Sequence, residues 1–352
     1  MSTKFQIERN NSLVCKTFIK SIKTTGLMKY KILSCLFFLV IATQVKSQSY
    51  FYTNQDYANP ITLEGGVSAG IMNSLTDVGG RAGRGKAGAK DLNMQVTTAC
   101  AGIYIGAIYF NTIGLRLEGT LGKVQSHDSL LKNVKNTAIG RYNRNLSFRS
   151  PIREVNLLLE FHPVDFVRDF DPDAVMPSFS PYLLGGVGYF HFNPQANLNG
   201  KWIDLKPLHT EGEGFAEYPS SREYSLNQVN FSYGIGLAYS INNRVNLRLE
   251  YVSRKLNTDY LDDLHGRYVD PAIFSKYLTG NDLTNALLLN KRIRPDAKPE
   301  QTTQSPGSIR GNPSNNDSYF TAVFKVGYIF GRQRPSVDLR KYNRPMRSPT
   351  RF

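Results

Sequence analysis

The stretch from Val245 to Ser253 alternates apolar and polar residues with a period of two. Four residues share one face and three share the other: Val245, Leu247, Leu249 and Tyr251 against Asn246, Arg248 and Glu250. This alternation predicts a β-strand with two chemically different faces. A soluble sheet would bury the apolar face and leave the charges in water. A membrane barrel would turn the apolar face to lipid and keep the charges in its lumen, where Arg248 and Glu250 can pair.

The strand that precedes this one favours the membrane alternative. One of its faces is aromatic or aliphatic and the other is small or polar: Phe231, Tyr233, Ile235, Leu237 and Tyr239 against Ser232, Gly234, Gly236, Ala238 and Ser240. A short turn, residues 241–244, joins the two strands. So broad an aromatic face opposite glycines is rare in a water-soluble sandwich, but it suits a narrow barrel whose outside faces lipid.

Eight stretches of this kind follow one another, each roughly 9–16 residues long and so able to cross a bilayer at a tilt. They are Ile61 to Met72, Thr97 to Phe110, Ile113 to Val124, Leu146 to Phe161, Pro181 to Phe192, Phe231 to Tyr239, Val245 to Ser253 and Tyr319 to Phe330. Connections after the second, fourth and sixth strands are shorter than the others, of which the longest spans about 259–317. The sequence therefore predicts an all-β fold, an eight-stranded antiparallel transmembrane outer-membrane β-barrel with short periplasmic turns and long outer loops.

The inward faces of three predicted strands carry charged residues. An eight-stranded barrel is filled by its own side chains, so we expect these residues to form an internal salt-bridge plug and not to line a pore. The predicted lumen network consists of Arg116, Glu118, Glu160, Arg248 and Glu250.

The N-terminal region has the features of a secretory signal peptide. Lys29 and Lys31 precede a short apolar run, and Val45-Lys46-Ser47 fits a cleavage site before Gln48. Export of this kind, together with the barrel, predicts a location in the outer membrane of a Gram-negative bacterium. The predicted segments are an upstream start-site extension at 1–27, the signal peptide at 28–47, a periplasmic lead at 48–60, the barrel at 61–331 and a basic periplasmic tail at 332–352.

The positive charge of the chain is concentrated at its two ends. Residues 1–47 hold eight Lys or Arg against one Glu and residues 332–352 hold seven against one Asp, so only +2 of the net +15 remains between them. A basic tail on a near-neutral body is a local docking feature and not a nucleic-acid-binding surface. The docking candidates in the tail are Arg332, Arg334, Arg340, Lys341, Arg344, Arg347 and Arg351.

The glycine-rich stretch from Gly80 to Lys86 has the spacing of a phosphate-binding loop. That motif requires Ser or Thr at the next position, where this chain has Ala87, and it requires a helix to follow. A solvated outer loop is the better interpretation.

Residues of the types found in hydrolytic triads occur together at His127-Asp128-Ser129. Because neighbouring residues are not expected to form the base-to-nucleophile geometry among themselves, a catalytic site would need partners such as Glu118 or His191. A solvated loop is again the better interpretation.

Several aspartates cluster at the start of the longest loop, including Asp259, Asp262, Asp263 and Asp270. Dense carboxylates can bind calcium, but the spacing lacks the glycine and the final glutamate of a helix-loop-helix calcium site. The alternative is local capping, with Thr258 or Asp259 beginning a short helix from Tyr260 to Leu264.

The same loop resembles a known family. Asp259-Tyr260-Leu261-Asp262-Asp263, followed by Tyr268-Val269-Asp270-Pro271, is similar to a signature of PorG-type outer-membrane barrels. These barrels belong to the type IX secretion and gliding-motility apparatus of Bacteroidota. Further likenesses lie at residues 61–66, 155–161 and 181–188, so the resemblance spans residues 60–331.

The resemblance implies a non-enzymatic accessory barrel that needs no cofactor or small-molecule substrate. Its expected partners are outer-membrane lipid and a periplasmic ring of a lipoprotein and its companion, PorK and PorN. The ring-facing parts would be residues 111–112, 164–178, 241–244 and the tail. Two other classes stay open: a passive barrel or adhesin that acts through residues 259–317, and a lipid-modifying enzyme that uses His127 and Ser129.

Overall fold

The computed structural model describes residues 61–79, 94–133, 139–168, 179–242, 244–297, 304–312 and 316–330. All of these residues belong to a single compact unit. Their strands are β1 (Ile61–Leu75), β2 (Thr98–Tyr109), β3 (Ile113–His127), β4 (Ser147–Phe161), β5 (Phe179–Phe192), β6 (Gln195–Leu198), β7 (Lys201–Asp204), β8 (Asn227–Ser240), β9 (Val245–Leu256) and β10 (Ser318–Phe330). Their helices are α1 (Ile139–Arg144), α2 (Pro163–Arg168), α3 (Pro271–Tyr277) and α4 (Gly280–Asn290). None of the helices in these ranges has the length and apolar composition needed to cross a membrane.

The sheet closes on itself. Antiparallel strands pair in the order β3-β2-β1-β10-β9-β8-β5-β4, and β4 pairs again with β3. The closing pair runs from Ile113 opposite Phe161 to His127 opposite Ser147. Of the ten strands, only the β6–β7 hairpin stands outside this ring, so the barrel has eight strands. Closure leaves no free edge in the ring, which confirms the predicted eight-stranded antiparallel barrel.

The outward face of the ring is apolar. Ile103, for example, is 67% exposed, while Tyr104 beside it is buried. Residues of this outward belt include Leu63, Val67, Ile105, Leu115, Leu117, Val155, Leu157, Leu183, Val187, Phe231, Tyr233, Ile235, Leu249, Tyr251, Phe324 and Val326. A continuous exposed belt of this size is foreign to the surface of a soluble monomer. It is the surface that a transmembrane barrel presents to lipid.

All eight predicted strands are present, and several continue beyond their predicted ends. Strand β3 runs to His127 instead of Val124, β9 runs to Leu256 instead of Ser253, and β8 begins at Asn227 instead of Phe231. These extensions all lie at the end of the barrel with the long connections. Strand pairing continues there after the apolar alternation has ended, because backbone hydrogen bonds do not depend on lipid contact.

Two long connections fold together at that end into what we call the cap, which comprises the described residues 193–226, 257–297, 304–312 and 316–317. A hydrophobic cluster joins them, with Leu208 and Phe215 from the first connection and Val269, Phe274 and Leu289 from the second. A separate cluster fills the barrel mouth beneath the cap: Met72, Val124, Phe148, Phe190, Phe192, Leu261 and Tyr319 are among its members. The cap is therefore a packed structure that continues the core of the barrel.

The predicted short helix from Tyr260 to Leu264 is wrong. These residues form a turn in which the Asp263 N–H donates to the Tyr260 carbonyl at 3.2 Å. Asp263 has a φ of 63°, which a continuing helix does not allow. Helix capping occurs at Asp270, whose side chain accepts a hydrogen bond from the Ala272 N–H, ahead of α3.

Candidate functional site: the charged lumen and the acidic cap

The structure brings the five charged residues predicted for the lumen together inside the barrel. Arg116 and Glu118 lie on β3, Glu160 lies on β4, and Arg248 and Glu250 lie on β9. Each occupies an inward position of its strand and is at most 4% exposed. Period-two alternation places them there, because the residues on either side of each face outward.

Arg116 joins three carboxylates. It forms a bidentate salt bridge with Glu250, in which Nη1 lies 2.6 Å from Oε1 and Nη2 lies 2.9 Å from Oε2. Its Nη1 also lies 2.9 Å from Glu160 Oε1, and its Nε lies 3.3 Å from Glu118 Oε2. The planar guanidinium suits this role, because it offers several donors in fixed directions.

Arg248 does not pair with Glu250, so that expectation is wrong. Its Nη2 and Nε contact the two oxygens of Glu64 at 2.6 and 2.9 Å, and its Nη1 contacts Glu160 at 2.9 Å. Residues two apart on one strand point the same way, and their long side chains reach across the lumen to different strands. Arg248 and Arg116 therefore share Glu160 between them.

Four further residues that were not predicted from the sequence belong to the lumen network: Glu64, Tyr104, Tyr182 and Lys325. Lys325 Nζ lies 2.5 Å from Glu118 Oε2 and 2.9 Å from Glu250 Oε2. The Tyr104 hydroxyl donates to Glu64 Oε1 at 2.7 Å, and the Tyr182 hydroxyl donates to Glu250. Lys325 stands at an inward position between Phe324 and Val326, and Glu64 directly follows the outward Leu63, so the same alternation could have identified them.

Glycines make room for this network. A side chain at Gly236 would meet the ring of Tyr182, and a side chain at Gly327 would meet Glu64 and Tyr104. The small inward face recognised on β8 thus has a specific use, because the large aromatic residues of neighbouring strands occupy the space.

The cap holds the aspartates of the family-like motif at the junction of its connections. Asp262 accepts hydrogen bonds from the backbone N–H groups of Val78 at 2.9 Å and Leu264 at 3.1 Å. Asp263 accepts from the Thr210 hydroxyl at 2.5 Å and the Tyr224 hydroxyl at 2.7 Å. These contacts tie the start of the longest connection to two other connections.

The other motif residues take part in the same junction, except for Asp270. Asp259 lies 3.1 Å from His265 Nδ1, Tyr260 stacks on Tyr224 with ring centroids 4.3 Å apart, and Leu261 is fully buried. Asp270 lies apart as the N-cap of α3. The motif therefore contributes to the architecture of the cap.

Two buried arginines compensate part of this acidity. Arg310 Nη1 contacts Glu211 Oε1 at 2.9 Å and donates to the Asp263 carbonyl at 2.7 Å. Arg144 contacts Asp128 at 2.9 and 3.1 Å and donates to the Arg310 carbonyl at 2.8 Å. The arginines are thus shared between acids and backbone carbonyls.

Four buried aspartates of the cap have pKa values shifted towards their protonated forms. Burial raises the pKa of Asp259 to about 7 and that of Asp263 to about 6. Burial, with repulsion from neighbouring carboxylates, raises the pKa of Asp262 and of Asp317 well above the usual range. The hydrogen bond to Asp259 raises the pKa of His265.

These shifts have a definite sign for stability. A carboxyl whose pKa is raised on folding stabilises the folded cap below its unfolded pKa, and this contribution is lost as pH rises through the folded pKa. For Asp259 the window runs from 3.8 to about 7. The contribution of His265 is complete below 6.5 and is likewise lost as pH rises through its raised folded pKa. Both groups therefore make the cap more stable in acid.

The aspartate cluster does not have the geometry of a metal site. Within the described ranges, no group of three or more His, Cys, Asp or Glu residues is arranged to hold a metal ion. The oxygens of Asp262 and Asp263 instead receive backbone N–H and hydroxyl donors. The calcium hypothesis thus gains no support from this arrangement.

His127 and Ser129 are in direct contact, contrary to expectation. His127 Nδ1 lies 2.5 Å from Ser129 Oγ at an exposed position. Asp128 points away to Arg144, and the suggested partners are engaged elsewhere, Glu118 with Lys325 and His191 with Asn227. No described contact orients His127 as the third group of a triad does.

Several predicted segments lie outside the described residues. They are the extension at 1–27, the signal peptide at 28–47, the lead at 48–60, the glycine-rich stretch from Gly80 to Lys86 and the basic tail at 332–352 with all its docking candidates.

Comparisons with known proteins find likenesses among solved structures only. No protein-family model and no curated protein matches the chain. Ail of Yersinia pestis is 9% identical with a TM-score of 0.32, over 77% of this chain and 97% of Ail. Neisserial surface protein A is 8% identical with a TM-score of 0.29, over 77% and 97%. A major outer membrane protein from Thermus thermophilus is 13% identical with a TM-score of 0.33, over 76% and 99%. The barrel assignment rests on strand pairing, and no function is transferred from these proteins.

Proposed function

We propose that the chain is a non-conducting outer-membrane barrel that works without catalysis, as a structural component of a protein secretion machine. The observation that carries this proposal is the closed lumen: Arg116, Arg248 and Lys325 are 1%, 2% and 0% exposed. Guanidinium and ammonium groups that line a water-filled channel are hydrated. Here these groups contact carboxylates across the barrel, so the interior is a plug. The function of the protein must therefore depend on its outer surfaces.

The short-turn end supplies a surface for a periplasmic partner. Helix α2 follows β4 there and exposes Val164 and Val167, the latter 68% exposed. The turn between β8 and β9 exposes Ile241. This turn follows β8, and α2 leads into β5, which is the neighbour of β8 in the sheet. Exposed apolar residues outside the lipid belt are typical of protein–protein contact sites. A periplasmic ring of the PorK and PorN kind is the partner that the family resemblance implies.

Affinity purification tests this proposal. The tagged full chain would be extracted from the outer membrane in mild detergent, and the proteins that accompany it would be identified by mass spectrometry. We expect ring lipoproteins and secretion proteins, and we expect reduced recovery from a chain truncated after Gly331 and from Val164→Ser/Val167→Ser. Leu287→Ser on the exposed face of α4 is the matched control at the opposite end. Recovery of the barrel alone would overturn the proposal.

A passive barrel or adhesin is the second candidate, and the folded cap favours it. The cap has its own hydrophobic cluster and exposes Leu287, Leu288 and Ile293 to the outside. An adhesin would lose binding to its target when α3 and α4 are replaced by a short linker, while secretion would continue unchanged. A secretion component without adhesive function would show no change in surface binding.

A further inference from the structure

The outward face of three adjacent strands carries basic side chains just beyond the apolar belt. Arg153 on β4 stands opposite Leu121 of β3 on one side and opposite His191 of β5 on the other. Lys123 lies two residues beyond Leu121 on the same face, opposite Pro151. Directly opposed residues in antiparallel strands are about 4.5–5.5 Å apart, and diagonal neighbours are about 7–8 Å apart. Lys123, Arg153 and His191 thus form one patch, which we call the basic patch.

The two cations of the basic patch have no partner in the described chain. Lys123 and Arg153 are exposed, and neither forms an ion pair with a described acid. The exposed acid of the neighbouring hairpin, Asp204, accepts hydrogen bonds from Asn193 and Gln195 instead. The basic patch differs in this respect from the lumen and the cap, where every buried arginine contacts a carboxylate. The charge of the basic patch is therefore available to an external anion.

The surface below the basic patch is apolar. Leu121 is 62% exposed, Val155 follows Arg153 on the same outward face, and Tyr189 stands opposite Val155. An anion bound by Lys123 and Arg153 would have hydrocarbon-compatible surface directly beneath it. Free phosphate or a nucleotide would contact the cations but would have no hydrocarbon to place on the apolar surface beneath them. A lipid makes use of both parts, with its headgroup on the cations and its acyl chains along the belt.

We propose that Lys123 and Arg153, with His191 at their edge, bind the phosphate of a phosphorylated lipid headgroup in the leaflet at the long-loop end of the barrel. This inference rests on the proposed membrane location but not on the secretion role. Anionic groups at a membrane surface attract each nearby Lys or Arg, and the attraction falls off within a Debye length. The patch would hold the barrel at a fixed depth and recruit a shell of phosphorylated lipid.

The chain offers a matched control on the far side of the barrel. Lys255 on β9 is also exposed and outward-facing, but its neighbours across the strands are Phe231 and Ser318. It is a single cation without a second one beside it. Its replacement removes the same charge from the same kind of surface and leaves the basic patch intact.

Lipid binding to the purified full chain in detergent tests the proposal. The probe is bis-phosphorylated lipid A, titrated against the protein and measured by native mass spectrometry. We expect each of Lys123→Gln and Arg153→Gln to weaken binding roughly fivefold and the double variant roughly 25-fold. Lys255→Gln should change it less than twofold. The charge-preserving pair Lys123→Arg/Arg153→Lys should retain most of the binding, and the heat-modifiable gel shift reports that each variant is folded.

Three outcomes would overturn the inference. They are equal affinity of the double variant and the unaltered chain, an equal loss in Lys255→Gln, and displacement of the lipid by millimolar inorganic phosphate, which would indicate a free-phosphate site. Because binding is measured on isolated protein, these outcomes are independent of the purification experiment above. Failure to recover secretion partners would leave the lipid result standing, and loss of lipid binding would leave the secretion role standing.

Discussion

Replacement of Arg248 by methionine is the sharpest test of the lumen network. The change removes three charge-assisted hydrogen bonds, two to Glu64 at 2.6 and 2.9 Å and one to Glu160 at 2.9 Å. Glu160 keeps its contact with Arg116. Among the described residues, Glu64 keeps as partners only the Tyr104 hydroxyl and the Asn246 amide. Glu64 therefore becomes the uncompensated charge.

The expected cost follows from this stranded carboxylate. Removing one partner of a buried ion pair destabilises a protein by about 3–5 kcal/mol, because the other charge stays buried without compensation. The double variant Arg248→Met/Glu64→Gln removes that charge as well. We expect it to be more stable than Arg248→Met alone, and less destabilised than the sum of the single changes by about 1–3 kcal/mol.

Urea unfolding in lipid vesicles measures these free energies, with the folded fraction read from the heat-modifiable gel shift. Lys255→Met is the matched control, since this exposed cation has no described ion pair, and we expect it to change stability by no more than about 0.5 kcal/mol. The reasoning would be refuted if Arg248→Met cost less than about 1 kcal/mol. It would also be refuted if the effects of Arg248→Met and Glu64→Gln were additive.

Two further changes test the packing of the lumen and the electrostatics of the cap. Gly236→Val should destabilise the barrel by about 1–3 kcal/mol, because the new side chain meets the ring of Tyr182, whereas Gly185→Val, with nothing within 4 Å, should cost much less. Comparable unfolding midpoints for the two variants would contradict this. The cap should resist limited proteolysis better at pH 5 than at pH 8, because stabilisation by protonated Asp259 and His265 is lost over that range. Asp259→Asn should reduce the difference, and greater resistance at pH 8 would contradict the sign.

The facing of the lumen residues could be predicted from the sequence, but their partners could not. Alternation along β3 and β9 places Arg116 and Arg248 inward whatever the register of the sheet. Pairing depends on height and on which strand lies across the lumen. Arg248 reaches Glu64, 184 positions away in sequence, because β10 separates β9 from β1 in the closed ring. The sequence Arg-Leu-Glu occurs on both strands, at 116–118 on β3 and at 248–250 on β9, and it therefore indicates a shared polar side without indicating the ion pairs.

The cap was largely beyond prediction, for a related reason. Its defining contacts join distant segments of polar composition, such as Asp262 with Val78 and Arg310 with Glu211. No periodicity marks such contacts. One local signal was available, since Asp270 before Pro271 is a favourable start for a helix. The helix expected from capping by Thr258 or Asp259 lies about ten residues before α3, which begins at Pro271.

The charged lumen also explains how this barrel can have a single register. A slip of one residue between strands would turn their inward residues outward. Arg116 and Arg248 would then face hydrocarbon, where an arginine costs about 2–4 kcal/mol near the midplane of the bilayer. The apolar belt alone distinguishes less strongly between registers, because a leucine that turns inward still avoids water. A slipped register would separate Arg116 and Arg248 from the carboxylates that they contact. The interior of the barrel therefore specifies the fold, and this leaves the short-turn end, the cap and the lipid-facing rim free to carry function.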